Sequence, residues 1–115
     1  MSETNASEGV RRIAAERQRQ IEEEGWTAEH DSEHPLGEMA IAAACYAAIS
    51  SFGINVGVGL AEALGPPEMW PWAPEWWKPS ADPIRNLEKA GALIAAEIDR
   101  LERAAAHNPE EAEDE

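Results

Sequence analysis

The sequence predicts an all-α fold: a small bundle of three main helices with one irregular segment rich in proline and tryptophan. Its 115 residues leave room for a single modest hydrophobic core. Two segments repeat apolar residues at helical spacings, a third is apolar almost throughout, and residues 66–79 hold five prolines. We expect one helical domain over residues 9–105, a disordered N-terminus over 1–8 and an acidic disordered tail over 106–115.

The first helix is predicted over residues 9–24, because this segment has no proline and is followed by Gly25, a common helix stop. Its apolar stripe consists of Val10, Ile13, Ala14 and Ile21. Arg17 falls on the same stripe, where a helix that faces a core usually carries an aliphatic side chain. Two interpretations of Arg17 are open: it snorkels or pairs with a buried glutamate, or its charge is directed at a ligand.

The second helix is predicted over residues 36–51, with Pro35 at a favoured helix start and Glu38 in the first turn. Its side chains are small and apolar on almost every face, which is typical of a helix at the centre of a bundle or between protomers. We therefore expect a homo-oligomer. Cys45 lies in this helix, so we expect it to be a buried, unreactive thiol.

The chain between this helix and residue 82 is predicted to be irregular. Residues 52–65 contain four glycines and indicate a loop with one short helical turn. In residues 66–79 the prolines fix φ and remove backbone donors, which excludes regular helix or sheet. The third helix begins with Asp82 as its N-cap and Pro83 at the first helical position, and runs to about residue 105.

The third helix carries an apolar seam at spacings of three and four, the pattern of antiparallel or coiled-coil-like packing. Its members are Ile84, Leu87, Gly91, Ile94, Ile98 and Leu101. We expect this seam to be the packing surface of the helix. Gly91, which has no side chain, would let a neighbouring backbone or ligand come close.

The net charge of −14 at pH 7 argues against non-specific binding of nucleic acid. Lys78 is the only Lys or Arg in residues 26–81, and all the others lie in 9–25 and 82–104. A compact anion pocket built from those two segments is compatible with this distribution. No apolar run approaches the roughly 20 residues that span a bilayer, and the N-terminus lacks signal-peptide features, so we expect a cytoplasmic protein without a membrane partner.

Arg85 and Lys89 are the most informative pair of cations. They lie four residues apart near the start of the third helix, where like charges repel and the helix dipole disfavours cations. A bound anion would relieve both effects; the alternative is an ordinary solvated basic face. The tryptophan-rich segment leads into this helix, so a base stacked on Trp76 or Trp77 would lie beside the cations, unless the tryptophans only cover the core.

The predicted ligand-binding residues are Arg17, Trp72, Trp76, Trp77, Lys78, Arg85 and Lys89. No catalytic residue and no cofactor are predicted. The turn from His30 to His34 is a weak candidate for a metal site, because Pro35 prevents one helix from presenting both imidazoles on the same face. Magnesium binding is expected only if the protein is an enzyme. Its weak candidate ligands are then Asp31, Glu38 and Glu97.

The strings ERQRQIEEEGWTAEHD, GEMAIAAACYA, WPWAPEWWKP and RNLEKAGALIAAEIDRL resemble those of a group of small bacteriophage and prophage proteins, over roughly residues 11–103. The group is loosely similar to MazG-like nucleotide pyrophosphohydrolases, all-α oligomers that hold magnesium with Glu-x-x-Glu and Glu-x-x-Asp pairs. Here those pairs occur only in the tail, at Glu110 to Glu113 and Glu111 to Asp114. The resemblance implies a phage accessory protein in the cytoplasm of an infected bacterium.

Three functions are compatible with these features. We favour a non-catalytic oligomer that sequesters a nucleotide-derived anion, such as a cyclic-nucleotide or cyclic ADP-ribose immune signal, and so counters host anti-phage defence. The second function is a MazG-like pyrophosphohydrolase with rearranged magnesium ligands. The third is a protein-interaction module whose tryptophan-rich segment docks on a host protein and inhibits it.

Overall fold

The computed structural model describes residues 6–50 and 65–107, and all regular structure in these ranges is helical, which confirms the predicted all-α fold. The elements in chain order are α1 (Glu8–Glu24), α2 (Ala28–Ser32), α3 (residues 38–50), a short 3-10 helix (Pro74–Trp76) and α4 (Pro83–His107). The predicted loop over 52–65 and both predicted disordered ends lie mostly outside the described residues. Among the helices just named, none has the length and apolar character needed to cross a membrane.

The ends of α1 and α4 follow local capping chemistry. The Ser7 hydroxyl accepts a hydrogen bond from the Val10 backbone N–H at 3.2 Å, and Gly25 ends α1 with a φ of 76°. The Asp82 carboxylate accepts a hydrogen bond from the Ile84 N–H at 2.9 Å, as expected of an N-cap residue. α1 starts one residue earlier than predicted and α4 ends two residues later.

The short helix α2 lies where the sequence predicted only a polar turn. The Thr27 hydroxyl caps it by accepting a hydrogen bond from the His30 N–H at 3.4 Å. A helix of 5 residues is too short to show a helical period, so the spacing of apolar residues gives no sign of it. α2 packs against α4 and fixes the positions of His30 and of the buried Asp31.

The core lies between α3, α4 and the Pro/Trp-rich segment, residues 66–79. Its buried side chains are Met39, Ala42, Ala43, Cys45 and Tyr46 of α3, Ala90, Leu93 and Ala96 of α4, and Trp70 and Trp77 of the segment. Cys45 is a free and buried thiol, as predicted, and burial raises its pKa. The opposite face of α3, which includes Ala40 and Ala44, is exposed, so one face of this helix is buried and not all of them.

The apolar seam of α4 is not the face that the described chain buries. Its five large side chains remain 49–53% exposed: Ile84, Leu87, Ile94, Ile98 and Leu101. The buried residues of α4 include Asn86, Ala90, Leu93, Ala96 and Glu97. The predicted packing surface is therefore wrong within one chain, because the small alanine side chains let α3 and the bulky indole rings pack closely against the other face.

α1 contacts α4 largely through polar side chains. Glu16 and Gln20 are its buried residues, whereas Val10 on the predicted apolar stripe is 57% exposed. Ile13 is partly buried and packs on Gly91, where a Cβ atom would lie 2.6 Å from Ile13 Cδ1. Gly91 therefore permits a close approach, made by a side chain of α1.

We expect Gly91→Ala to lower the free energy of unfolding by about 1–3 kcal/mol, because the added methyl group overpacks the contact with Ile13. This loss would occur although alanine favours a helix over glycine by about 1 kcal/mol. In an Ile13→Ala background the same substitution should be neutral or stabilising. Urea unfolding of the four proteins measures the difference, and equal effects in both backgrounds would contradict the packing.

Candidate functional site

A cavity of about 310 Å³ lies between α2, the Pro/Trp-rich segment and the core. Aromatic rings form most of its wall: the indoles of Trp26, Trp70, Trp72 and Trp76, the imidazoles of His30 and His34, and the phenol of Tyr46. Its volume lies at the lower end of the range of roughly 300–1,000 Å³ that is usual for small-molecule sites. The wall therefore suits a small ligand with a flat apolar surface.

One side of the cavity is a continuous run of rings that starts at α2. Trp26 stacks on His30, with ring centroids 5.7 Å apart and planes 3° from parallel. His30 meets the edge of His34 at 5.0 Å, and His34 lies 5.3 Å from Trp72. Trp26 lies just before the Thr27 N-cap of α2 and His30 lies inside the helix, so the chain entering α2 brings the two rings together.

The other side is anchored by Tyr46 of α3. Its ring meets the edge of Trp70 at 5.7 Å and lies 4.9 Å from Trp77. The Tyr46 hydroxyl accepts a hydrogen bond from the backbone N–H of Lys78 at 3.1 Å, and burial raises the pKa of Tyr46. Trp70 in turn meets the edge of Trp72 at 5.4 Å, so the two sides of the cavity join.

A buried ion pair supports the imidazole side. Asp31 is 1% exposed, and its carboxylate accepts a hydrogen bond from Arg17 Nη2 at 3.1 Å. The same carboxylate lies 3.2 Å from His30 Nδ1, and Arg17 Nη1 donates to the Trp26 carbonyl at 3.4 Å. Of the two interpretations of Arg17, the arrangement matches pairing with a buried acid, although the acid is Asp31 and not a glutamate.

Two lysines lie close to the aromatic side chains of the wall. Lys78 Nζ is 5.7 Å from the centroid of the exposed Trp76 ring, so its charge lies at the rim of the cavity. Lys89 Nζ donates to the Lys78 carbonyl at 2.7 Å and lies 5.4 Å from the centroid of the Tyr46 ring. Burial and the charge of Arg85 lower the pKa of Lys89.

Arg85 lies in a different place, a shallow groove between α1 and α4. Its Nη1 contacts Glu16 Oε1 at 2.6 Å and Glu88 Oε1 at 3.0 Å. Glu16 also accepts two hydrogen bonds from Arg19, both at 2.9 Å. Glu16 and Glu88 pair with Arg85, but its charge still lowers the pKa of Lys89, so the expected repulsion remains in part. The two side chains do not line the same space.

The predicted ligand-binding residues therefore fall into three groups. Trp72 and Trp76 lie in the cavity wall, with Lys78 at its rim. Trp77, Arg17 and Lys89 lie behind the wall, in contact with residues that form it. Arg85 belongs to the groove.

Each of the weak candidate metal ligands has a different hydrogen-bond partner. Asp31 pairs with Arg17, Glu97 accepts hydrogen bonds from Arg100 at 2.9 and 2.8 Å, and Glu38 accepts one from the Leu36 N–H at 2.8 Å. Hydrogen bonds from the backbone lower the pKa of Glu38. Across residues 6–50 and 65–107, no three or more His, Cys, Asp or Glu side chains form a group that could hold a metal ion.

The sequence does not predict five of the residues that line the cavity: Trp26, His30, His34, Tyr46 and Trp70. The two histidines were predicted only as weak candidate metal ligands. A local signal existed for one contact, since Trp26 and His30 are four residues apart, but contacts with the distant Pro/Trp-rich segment left no local pattern.

Comparisons with protein-family models, curated proteins and solved structures found no match to this chain.

The groove between α1 and α4 predicts a specific dependence of stability on pH. Burial alone would raise the pKa of Glu16, but hydrogen bonds from Arg19 and Arg85 outweigh it and lower the pKa to about 2 from the usual 4.5. Because the pKa is lower in the folded state, Glu16 stabilises the fold fully above about pH 4.5. This contribution, about 3 kcal/mol, should be lost as the pH falls from 4.5 through 2.

We expect Arg85→Ala to lower the free energy of unfolding by about 1–3 kcal/mol at pH 7, because the buried Glu16 loses a charged donor. The difference from wild type should shrink as Glu16 is protonated toward pH 2. Arg11→Ala is the control, since Arg11 pairs with the exposed Glu8, and it should cost under about 1 kcal/mol. Urea unfolding at pH 7 and pH 2.5 tests this, and a difference unchanged by pH would contradict it.

Proposed function

We propose that this protein binds a small nucleotide-derived ligand in the aromatic cavity and does not transform it. The observation that supports this most is the ring-lined wall, in which indole and imidazole planes surround a space of about 310 Å³. Aromatic side chains hold a nucleobase by stacking, which contributes roughly 1–3 kcal/mol per base and needs no particular base identity. A planar base in the cavity therefore accounts for the concentration of tryptophan in one short segment.

The polar groups around the cavity suit the rest of such a ligand. His30 and His34 lie in the wall and Lys78 lies at the rim, so a phosphate near the opening would meet a cation and hydrogen-bond donors. The indole N–H of Trp72 is buried and has no hydrogen-bond acceptor within the described part of the chain. A ligand acceptor would satisfy this group, which otherwise carries a desolvation cost.

Binding without catalysis fits the state of the acidic side chains nearby. Asp31 is the buried acid closest to the imidazoles, and its carboxylate already pairs with Arg17. A general base or metal ligand needs a free lone pair directed at the substrate. This arrangement leaves Asp31 unavailable as a magnesium ligand and so disfavours the magnesium-dependent pyrophosphohydrolase.

The biological role that we propose comes from the resemblance to phage and prophage proteins. A small phage protein that sequesters a cyclic-nucleotide or cyclic ADP-ribose signal would deprive the host of an anti-phage alarm in the cytoplasm. Sequestration requires stoichiometric binding and no turnover, which matches the proposed chemistry. We also propose that the protein acts as a homo-oligomer.

Calorimetric titration tests the binding proposal. The ligands are AMP, a cyclic dinucleotide and cyclic ADP-ribose, and we expect at least one to bind wild type at one ligand per chain. Trp76→Ala should weaken that binding by about 1–3 kcal/mol, because it removes a stacking plane. The matched control is Met69→Ala: Met69 and Trp76 lie in the same segment and are both 53% exposed, but Met69 is outside the wall.

Chromatography of the ligand after incubation separates binding from catalysis. Recovery of intact ligand, with and without magnesium, supports sequestration, whereas magnesium-dependent products would support a pyrophosphohydrolase instead. If no ligand of the panel binds, or if Trp76→Ala and Met69→Ala bind equally well, the cavity is not a nucleotide site.

A further inference from the structure

The apolar seam of α4 is the largest exposed hydrophobic feature of one helix in the described chain. Its five large side chains are Ile84, Leu87, Ile94, Ile98 and Leu101, each about half exposed. They follow one side of the helix over roughly 26 Å at 1.5 Å per residue. This periodic arrangement does not stabilise a monomer, because the buried face of α4 consists of other residues of the same helix.

α1 extends the same surface. Ile13 packs directly on Gly91, the one seam position without a side chain, and so fills the seam at its middle. Val10 lies about one turn earlier in α1 and is 57% exposed. α1 therefore meets the seam at its middle, through Ile13.

We infer that a second copy of this chain covers the seam, with the two α4 helices antiparallel about a two-fold axis between Gly91 and Ile94. Alternating spacings of three and four are what a helix needs in order to pair with another helix. The spacing is the same when it is read from either end, so the seam is complementary to itself. In this arrangement Ile84 faces Leu101, and Leu87 faces Ile98, of the other copy.

The charges beside the seam argue against a membrane as its partner. A helix that lies on an anionic bilayer needs Lys or Arg beside its apolar face. Beside the seam on α4, Glu88 is neutralised by Arg12 and Arg85. The exposed Asp99 and Glu102 follow it, and the whole chain carries a net charge of −14. An isologous contact between two copies needs no basic border, because the seam itself supplies matched apolar side chains.

The inferred interface does not occupy the proposed ligand site. Leu93 of α4 lies in the cavity wall and is 2% exposed, whereas Ile94 and Ile98 point away from it and are half exposed. The inference rests on the homo-oligomer included in the proposed function, but not on the ligand. Loss of the interface and loss of ligand binding can therefore be measured separately.

Sedimentation velocity of the full chain at micromolar concentration tests the interface. We expect wild type to sediment as a dimer of the 12.5 kDa chain and Ile98→Asp as a monomer. Leu36→Asp is the control, because Leu36 is 83% exposed outside the seam, and it should remain dimeric. Circular dichroism should show the same helix content in all three proteins.

Disulfide trapping tests the antiparallel direction. Cys45→Ala removes the native thiol, which is buried, and Ile84→Cys and Leu101→Cys are then introduced into separate proteins. Oxidation of the mixture should give the mixed disulfide in preference to either self-pair. A Leu101→Cys self-pair as the main product would indicate parallel helices and overturn the arrangement.

The other outcomes are equally decisive. A monomeric wild-type protein would overturn both the interface and the oligomer, and would assign the seam to another protein or to another segment of this chain. A dimer that survives Ile98→Asp would overturn the interface alone. The nucleotide titration of Ile98→Asp should match that of wild type. If neither protein binds, the ligand site fails and the seam is unaffected; if only Ile98→Asp fails to bind, the ligand site depends on the dimer, which would contradict the separation of the two surfaces.

Discussion

The Pro/Trp-rich segment has five prolines in residues 66–79, and its backbone hydrogen bonds are local, including those of the 3-10 helix Pro74–Trp76, which the sequence did not predict. Its position depends instead on Tyr46. The phenol packs against Trp70 and Trp77, and its hydroxyl accepts the hydrogen bond from the Lys78 N–H. Because Trp70 also contacts Trp72, Tyr46 connects α3 to both sides of the cavity wall.

The positions of the small residues in α4 determine which face of this helix is buried and which face is exposed. The small side chains of Ala90 and Ala96 let large aromatic and aliphatic side chains pack close to the axis of α4. The face of α4 that carries these alanines and Leu93 is therefore buried. The branched side chains of the seam then face away from the core. The same arrangement therefore places the aromatic cavity on one face of α4 and the exposed apolar seam on another.

Local chemistry was enough to predict much of the fold but little of the site. Gly25 and Asp82 mark helix ends through hydrogen bonds within a few residues, and the sequence identifies both. The buried face of α4 was predicted wrongly because large apolar residues were assumed to face inward, whereas the alanines do. The contact of Arg17 with Asp31, and of His34 with Trp72, joins residues far apart in sequence without any periodic signal.

The central claim is that the aromatic cavity is the ligand site, and the indole N–H signals of the five tryptophans test it most directly. Each gives one peak in a two-dimensional NMR spectrum, recorded before and after addition of a nucleotide extract from phage-infected bacteria. The account predicts large shifts for the four tryptophans of the wall, from ring stacking and from a new hydrogen bond at Trp72, and a smaller shift for Trp77 behind it. Unchanged indole peaks, with shifts confined to the guanidinium signals of Arg19 and Arg85, would contradict it.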